Sequence, residues 1–198
     1  MTSWEEAYAT KDAAERSWTE TGPSHSLPWV LEDSPQPSRS IVDVGGGASR
    51  LADSLVARGF TNVTVLDLAP SALEEVKARL GDAVHLVEAN VLEWEPPQPV
   101  DLWHDRAVFH FFVEPEEQLR YVERVTSAVR EVGTFVLATF APTGPEQCSG
   151  QPVTRWSASE LEDRFSDGFQ LLQSEEHLHV TPWGTNQPFT WVRFRRFQ

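Results

Sequence analysis

The 198-residue chain contains a single cysteine, Cys148. One thiol excludes an internal disulfide framework and any multi-thiolate zinc site, and it suits a reducing compartment. Basic residues are also scarce: 16 Lys and Arg stand against 30 Asp and Glu, for a formal charge of -14 at pH 7. Such a chain repels a phosphate backbone and an anionic bilayer surface, which argues against a nucleic-acid or membrane partner. Apolar runs are short. The stretch Val108 to Val113 falls far below the ~20 residues that span a bilayer. The N-terminus, Met1 to Tyr8, turns acidic at once and lacks the basic start and apolar stretch of a secretory signal. A cytoplasmic protein is expected. No repeat, heptad or symmetric patch stands out, so the oligomeric state is not legible.

What is present is globular. Apolar residues make up 40% and charged residues 23%, and a chain of this length buries roughly 70% of its unfolded surface without staples. Residues 1–40 read as an N-terminal helix, Ser3 to Arg16, followed by a mostly irregular segment holding Pro23, Pro28, Pro35 and Pro37. Residues 41–198 read as the main domain. Its strands are expected at Ile41 to Val44, Val63 to Asp67, Val84 to Glu88, Val100 to His104 and Thr134 to Phe140. Helices alternate with them. One runs from Ala48 to Arg58 and closes at Gly59; another opens on the capping-box spacing Ser71 to Glu74 and ends near Gly81. A third starts at Glu114-Pro115 with an apolar stripe of Leu119, Val122, Val125 and Val129. A second capping box, Ser157 to Glu160, opens a further helix, and Phe169 to Val180 and Pro188 to Phe197 form a hairpin around Pro182 to Gly184. The fold class is α/β: a doubly wound, Rossmann-like parallel sheet ending in an antiparallel hairpin.

The loop Asp43-Val44-Gly45-Gly46-Gly47-Ala48-Ser49 leaves the first strand and enters the first helix, where such a sheet binds nucleotide-like ligands. A dinucleotide loop needs Gly or Ala where this chain has Arg50. Asp43 would also oppose a pyrophosphate by ~1 kcal/mol or more, whereas it suits an ammonium group. NAD is disfavoured. Asp67, ending the second strand, can accept both hydroxyls of a ribose, and Asn90, after the third, can bond an adenine edge. An acid for an ammonium, an acid for a ribose and an amide for an adenine together describe S-adenosylmethionine.

From Ile41 to the C-terminus these motifs resemble the class I S-adenosylmethionine-dependent methyltransferases (EC 2.1.1), with Ser49 in place of the usual third glycine and Asn90 in place of an aspartate. The resemblance implies a sheet order of 3-2-1-4-5-7-6. It also implies that Asp43, Gly45, Gly46, Gly47, Ser49, Asp67, Leu68, Asn90 and Val91 bind the cofactor. The segment His104-Asp105-Arg106 would then lie beneath the methionine moiety, and the N-terminal segment, with Trp18 and Tyr8, would fold over it as a lid. The segments around Asp105-Arg106 and Gly150 to Phe165 are similar to the thiopurine and thiol methyltransferases.

The expected reaction is methyl transfer to a small-molecule acceptor, leaving S-adenosylhomocysteine. A soft nucleophile (thiol, selenium or metalloid) is favoured because a thiolate-like or metalloid acceptor needs no base in the protein; a protein lysine is the alternative. His104 and His110 are the catalytic base candidates, while Arg50, Arg106 and Arg155 keep small acids in play. No metal is expected, since His177 and His179 share a strand face without nearby third and fourth ligands. Cys148 reads as a loop residue.

Overall fold

The computed structural model describes residues 4–10, 12–20, 24–32, 36–47 and 49–198. Ser3, Pro23, Pro35 and Ala48, which figure in the expectations above, lie outside them. The chain runs α1 (Trp4–Thr10), α2 (Ser26–Leu31), β1 (Ile41–Val44), α3 (Leu51–Val56), β2 (Val63–Asp67), α4 (Pro70–Leu80) and β3 (His85–Glu88). It continues through β4 (Val100–Arg106), α5 (Pro115–Ala128), β5 (Val129–Phe140), a two-residue hairpin β6 (Gln147–Cys148) and β7 (Gln151–Pro152), α6 (Ala158–Phe165), β8 (Phe169–Val180) and β9 (Asn186–Arg196). The seven-stranded sheet has the order β3-β2-β1-β4-β5-β9-β8. With the small hairpin set apart, that is the expected doubly wound order. β5 and β8 both flank β9 antiparallel, while β1 to β5 run parallel.

β1 is central, and all four of its residues are buried. Its register places Asp43 beside Val65 on one side and His104 on the other. From β1 the chain winds outward to β2 and β3 and then returns across the sheet to β4 on the other side of β1, and this reversal opens a crevice at the carboxyl ends of the strands. Both sheet faces are covered. Tyr121, Val125, Leu161 and Phe165 of α5 and α6 pack with Trp103, Phe135 and Phe194. Leu51, Leu55, Leu73 and Val76 of α3 and α4 pack with Val63, Val65 and Leu102. Among the described residues no helix is long and apolar enough to cross a membrane.

Several local expectations need correction. The helix expected over Ser3 to Arg16 is shorter: α1 stops at Thr10, and a single 3-10 turn covers Ala13–Glu15. The proline-rich segment holds α2, which accommodates Pro28 in its first turn, where a missing N–H costs nothing. Ser71 is no N-cap. Pro70 pulls the start of α4 forward, Ala69 occupies the cap position, and the Ser71 amide and hydroxyl bond Glu5 of α1 instead. On α5 the buried face is Gln118, Tyr121, Val125 and Ala128, leaving Leu119 exposed. The reason is polar: the Tyr121 hydroxyl donates to buried Asp105 at 2.5 Å, and Gln118 Nε2 donates to the Phe112 carbonyl at 2.9 Å.

The Ser157 box forms as expected. Ser157 Oγ accepts the Glu160 N–H at 3.3 Å, and Glu160 Oε2 accepts the Ser157 N–H at 2.8 Å. Replacing Ser157 with Ala should lower stability by about 1 kcal/mol in urea unfolding. An unmoved midpoint would show that Leu161 and Phe165 packing holds α6 alone.

Candidate functional site

The cleft opens at the carboxyl ends of β1, β2 and β4. Gly45 turns the chain out of β1 with φ 64, and its N–H donates to the Leu66 carbonyl at 2.7 Å. A side chain there would be strained and would also meet Val108 Cγ2 at 2.4 Å. Gly47 allows α4 to approach: an added Cβ would lie 2.3 Å from Ala72 Cβ. Its N–H donates to Asp67 Oδ2 at 3.1 Å, and Asp67 Oδ1 accepts the Ala69 N–H at 2.9 Å. Asp67 thus ties the glycine loop to the start of α4. Burial raises its pKa, and the nearby Asp43 charge adds to the effect.

Asp43 is 1% exposed, and its Oδ1 lies 2.7 Å from His104 Nδ1. That contact takes the Nδ1 proton, so Nε2 is the ring nitrogen left for another partner. Asp43 Oδ2 and His104 Nε2 are both buried without a hydrogen-bond partner. Both residues line the cleft, as do Gly45, Ser49, Asp67, Leu68, Asn90, Val91 and Arg106. Asn90 spends its carbonyl on the Leu92 N–H at 3.0 Å, which leaves its NH2 donors. Ser49 Oγ accepts the Leu51 N–H at 3.0 Å, fixing the start of α3. Gly46 and Gly47 shape the loop from behind and do not line the cleft.

Two further expected site residues lie elsewhere. Strand alternation sends Asp105 to the opposite face from His104 and Arg106. There its carboxylate accepts the Val108 and Phe109 N–H groups at 2.8 and 3.1 Å, together with the Tyr121 hydroxyl. Complete burial pushes its pKa up to about 6. It holds the bend after β4, where Ala107 adopts φ 73. His110 is likewise fully buried and absent from the cleft wall. Its Nδ1 accepts the Phe140 N–H at 3.3 Å, and burial, with Arg106 nearby, depresses its pKa to about 3. A neutral core histidine of this kind is no base for a ligand it does not reach.

The remaining wall is aromatic. Trp4 meets Trp18 and Phe111 at ring separations of 5.9 and 4.8 Å, and Tyr8 meets Trp18 at 5.8 Å. Burial raises the Tyr8 hydroxyl pKa well above the ordinary phenol value. Arg16 stacks on Tyr8 at 4.5 Å and pairs with Glu75 of α4 at 2.7 Å. Arg106 Nη2 donates to the Trp18 carbonyl at 2.8 Å, and His179 Nε2 contacts the Ser17 carbonyl at 2.6 Å. These contacts make the N-terminal segment a roof. Cys148 joins the wall, and burial lifts its thiol to about 11, so it stays protonated at neutral pH. Nothing near it in the sequence signals that placement. Arg50 and Arg155 stand outside the lining, paired with Asp53 and Glu146 at 3.1 and 3.2 Å.

Residues 41–133 match the family model of a methyltransferase domain. A trans-aconitate 2-methyltransferase from Afipia carboxidovorans is 31% identical over 114 residues, covering 57% of this chain and 42% of the relative. The mouse EEF1A lysine methyltransferase 2 is 25% identical over 184 residues, covering 82% of this chain and 65% of the relative. The chain therefore spans less than two thirds of either. Among solved structures, one described under the conversion of a disulfide bond into a thioacetal group during echinomycin biosynthesis superposes with a TM-score of 0.77 at 21% identity. That match covers 100% of this chain and 93% of the other. A Burkholderia thailandensis 1,6-didemethyltoxoflavin-N1-methyltransferase with bound S-adenosylhomocysteine gives 0.70 at 18% identity, covering 98% and 82%. The architecture is that of a Rossmann-like methyltransferase fold.

Asp105 generates a pH prediction. Its folded pKa, about 6, lies above the ordinary 3.8. Folded protein therefore takes up a proton between these values that unfolded chain does not, and stability from this group rises as pH falls through 6. Relative to Asp105→Asn, the parent chain should gain about 2 kcal/mol between pH 7 and pH 4 in calorimetric unfolding. Parallel curves for the two proteins would refute it.

Proposed function

We propose that the chain is an S-adenosylmethionine-dependent methyltransferase acting on a small molecule, with a sulfur, selenium or metalloid acceptor favoured. The observation that carries this reading is the buried pair of unpartnered atoms, Asp43 Oδ2 and His104 Nε2, beside the glycine loop. A buried acceptor without a donor costs about 1–3 kcal/mol, and a ligand ammonium supplies the missing donors. Asp67 and Asn90 then face the ribose and adenine, while Arg106 stands near the methionine carboxylate. Two carboxylates in one cleft oppose a pyrophosphate and favour a cationic sulfonium ligand.

Transfer is an in-line displacement. Bound S-adenosylmethionine would supply an electrophilic methyl group and keep the electrons of the broken carbon–sulfur bond; Asp43, Asp67 and Asn90 would hold it while the cleft sets the acceptor in line. Positioning supplies most of the rate, up to ~7–11 kcal/mol. Among the described lining residues His104 is the only imidazole, and its Nδ1 is committed to Asp43. Cys148 is held protonated. Proton removal is thus poorly provided for, while Trp4, Tyr8, Trp18 and Phe111 make an apolar wall suited to a weakly hydrated nucleophile. The thioacetal chemistry in the description of one structural neighbour points the same way.

Calorimetric titration tests the cofactor. S-adenosylmethionine should bind at micromolar affinity and NAD should not; binding of NAD alone would overturn the reading. Asp67→Ala should weaken cofactor binding by more than about tenfold, roughly 1.4 kcal/mol, and a change below twofold would remove that role. A panel of thiols, amines and carboxylic acids, followed by S-adenosylhomocysteine release, should show the fastest turnover with thiols. Faster turnover with amines or acids would contradict the acceptor class.

A further inference from the structure

We propose that His25, Glu175 and His177 bind a divalent first-row transition cation, zinc in the first instance, which fastens the N-terminal roof to the edge strand. One ring nitrogen from each histidine and one glutamate oxygen lie within 4.8 Å of one another. Glu175 and His177 stand two apart on β8, so both project from the same side. His25 arrives from the turn before α2. Its ring stacks on that of His177 at 3.6 Å with 9° between planes, and its Nε2 lies 2.7 Å from Glu175 Oε1. The sequence separates the two elements by 150 residues, which is why spacing alone gave His177 no companions.

The contacts of His25 Nε2 make opposite demands. Glu175 Oε1 calls for a proton on that nitrogen, whereas the Trp29 indole N–H, 3.4 Å away, points to a lone pair. A neutral imidazole nitrogen cannot serve both. A cation satisfies the carboxylate while taking the lone pair, and Trp29 then reverts to a packing contact. Two imidazoles and a carboxylate form a donor set that suits zinc and leaves a fourth position for water. Bonds of about 2.1 Å place tetrahedral donors roughly 3.4 Å apart, and since a ring-nitrogen lone pair lies in the ring plane, the two imidazoles must swing out of their face-to-face stack for both to reach one ion. The side chains are 28% and 41% exposed at His25 and Glu175, which leaves room for that and for entry of the ion. Glu20, whose Oε1 accepts the His25 backbone N–H at 3.1 Å, keeps a buried and unpartnered Oε2 and adds negative charge beside the cluster.

Two residues further along the same side of β8, His179 contacts the Ser17 carbonyl. A cation at His25 would therefore brace the roof residue Trp18 from the strand that already holds its neighbour. Ion binding to the folded chain alone raises its stability by mass action.

The full chain, stripped with a chelator, is titrated with zinc chloride by calorimetry, and with cobalt(II) to read the visible absorption of a tetrahedral site. One equivalent should bind at micromolar affinity or tighter, with slowed amide exchange over residues 12–20. His25→Gln and His177→Gln should each weaken binding by at least about tenfold, or 1.4 kcal/mol, while metal-free melting temperatures stay near the parent's. Exposed His85 serves as control, and His85→Gln should bind as the parent does. No binding up to millimolar zinc, or undiminished binding by the His25→Gln/His177→Gln double variant, overturns the proposal. None of these readouts depends on methyl transfer.

Discussion

The contact between Asp43 and His104 organises the site. It exists because β1 and β4 are parallel neighbours in a register that sets these two residues side by side, at the point where chain connections diverge. A carboxylate in that position, 1% exposed and satisfied on one oxygen only, is tolerable where a cationic ligand completes it. The glycine loop, the Asp67 contacts that tie it to α4, and the bend held by Asp105 all serve to present this half-satisfied pair to one cleft. Function in this reading follows from an incomplete hydrogen-bond set at the carboxyl ends of the central strands.

The second constraint is closure. In the proposed reading a donor sulfonium meets its acceptor in a space from which water is excluded, and the sheet supplies only the floor. The roof is built from the N-terminal segment, through Trp4, Tyr8 and Trp18, and is anchored by Arg16 to Glu75, Arg106 to the Trp18 carbonyl and His179 to the Ser17 carbonyl. These anchors are polar and lie around the rim, while the aromatic rings meet in the interior.

The sheet was legible because parallel strands write themselves as short apolar blocks: β1 and β2 fall where their sequence puts them. The Ser157 cap was legible because both halves of its bond pair are local. The Ser71 signal looked the same, yet Pro70 moved the helix start and Glu5, distant in sequence, claimed the serine. The face of α5 was misread because apolar counting ignores Gln118 and Tyr121, which are drawn inward by partners on other elements. Strand alternation alone would have separated His104 and Arg106 from Asp105. The inward turn of His110 depends on a 3-10 segment whose onset no local signal marks. Cys148 and the His25 cluster are products of tertiary folding and had no spacing to read.

The central claim is that the Asp43 carboxylate selects an amino-bearing tail. Its most direct measurement is the affinity of S-adenosylhomocysteine against an analogue lacking only the α-amino group, in the parent chain and in Asp43→Asn. The account predicts a preference of about tenfold or more for the amine, roughly 1.4 kcal/mol, that largely disappears in the variant. Equal binding of the two ligands by the parent, or a preference that survives the substitution intact, would contradict it.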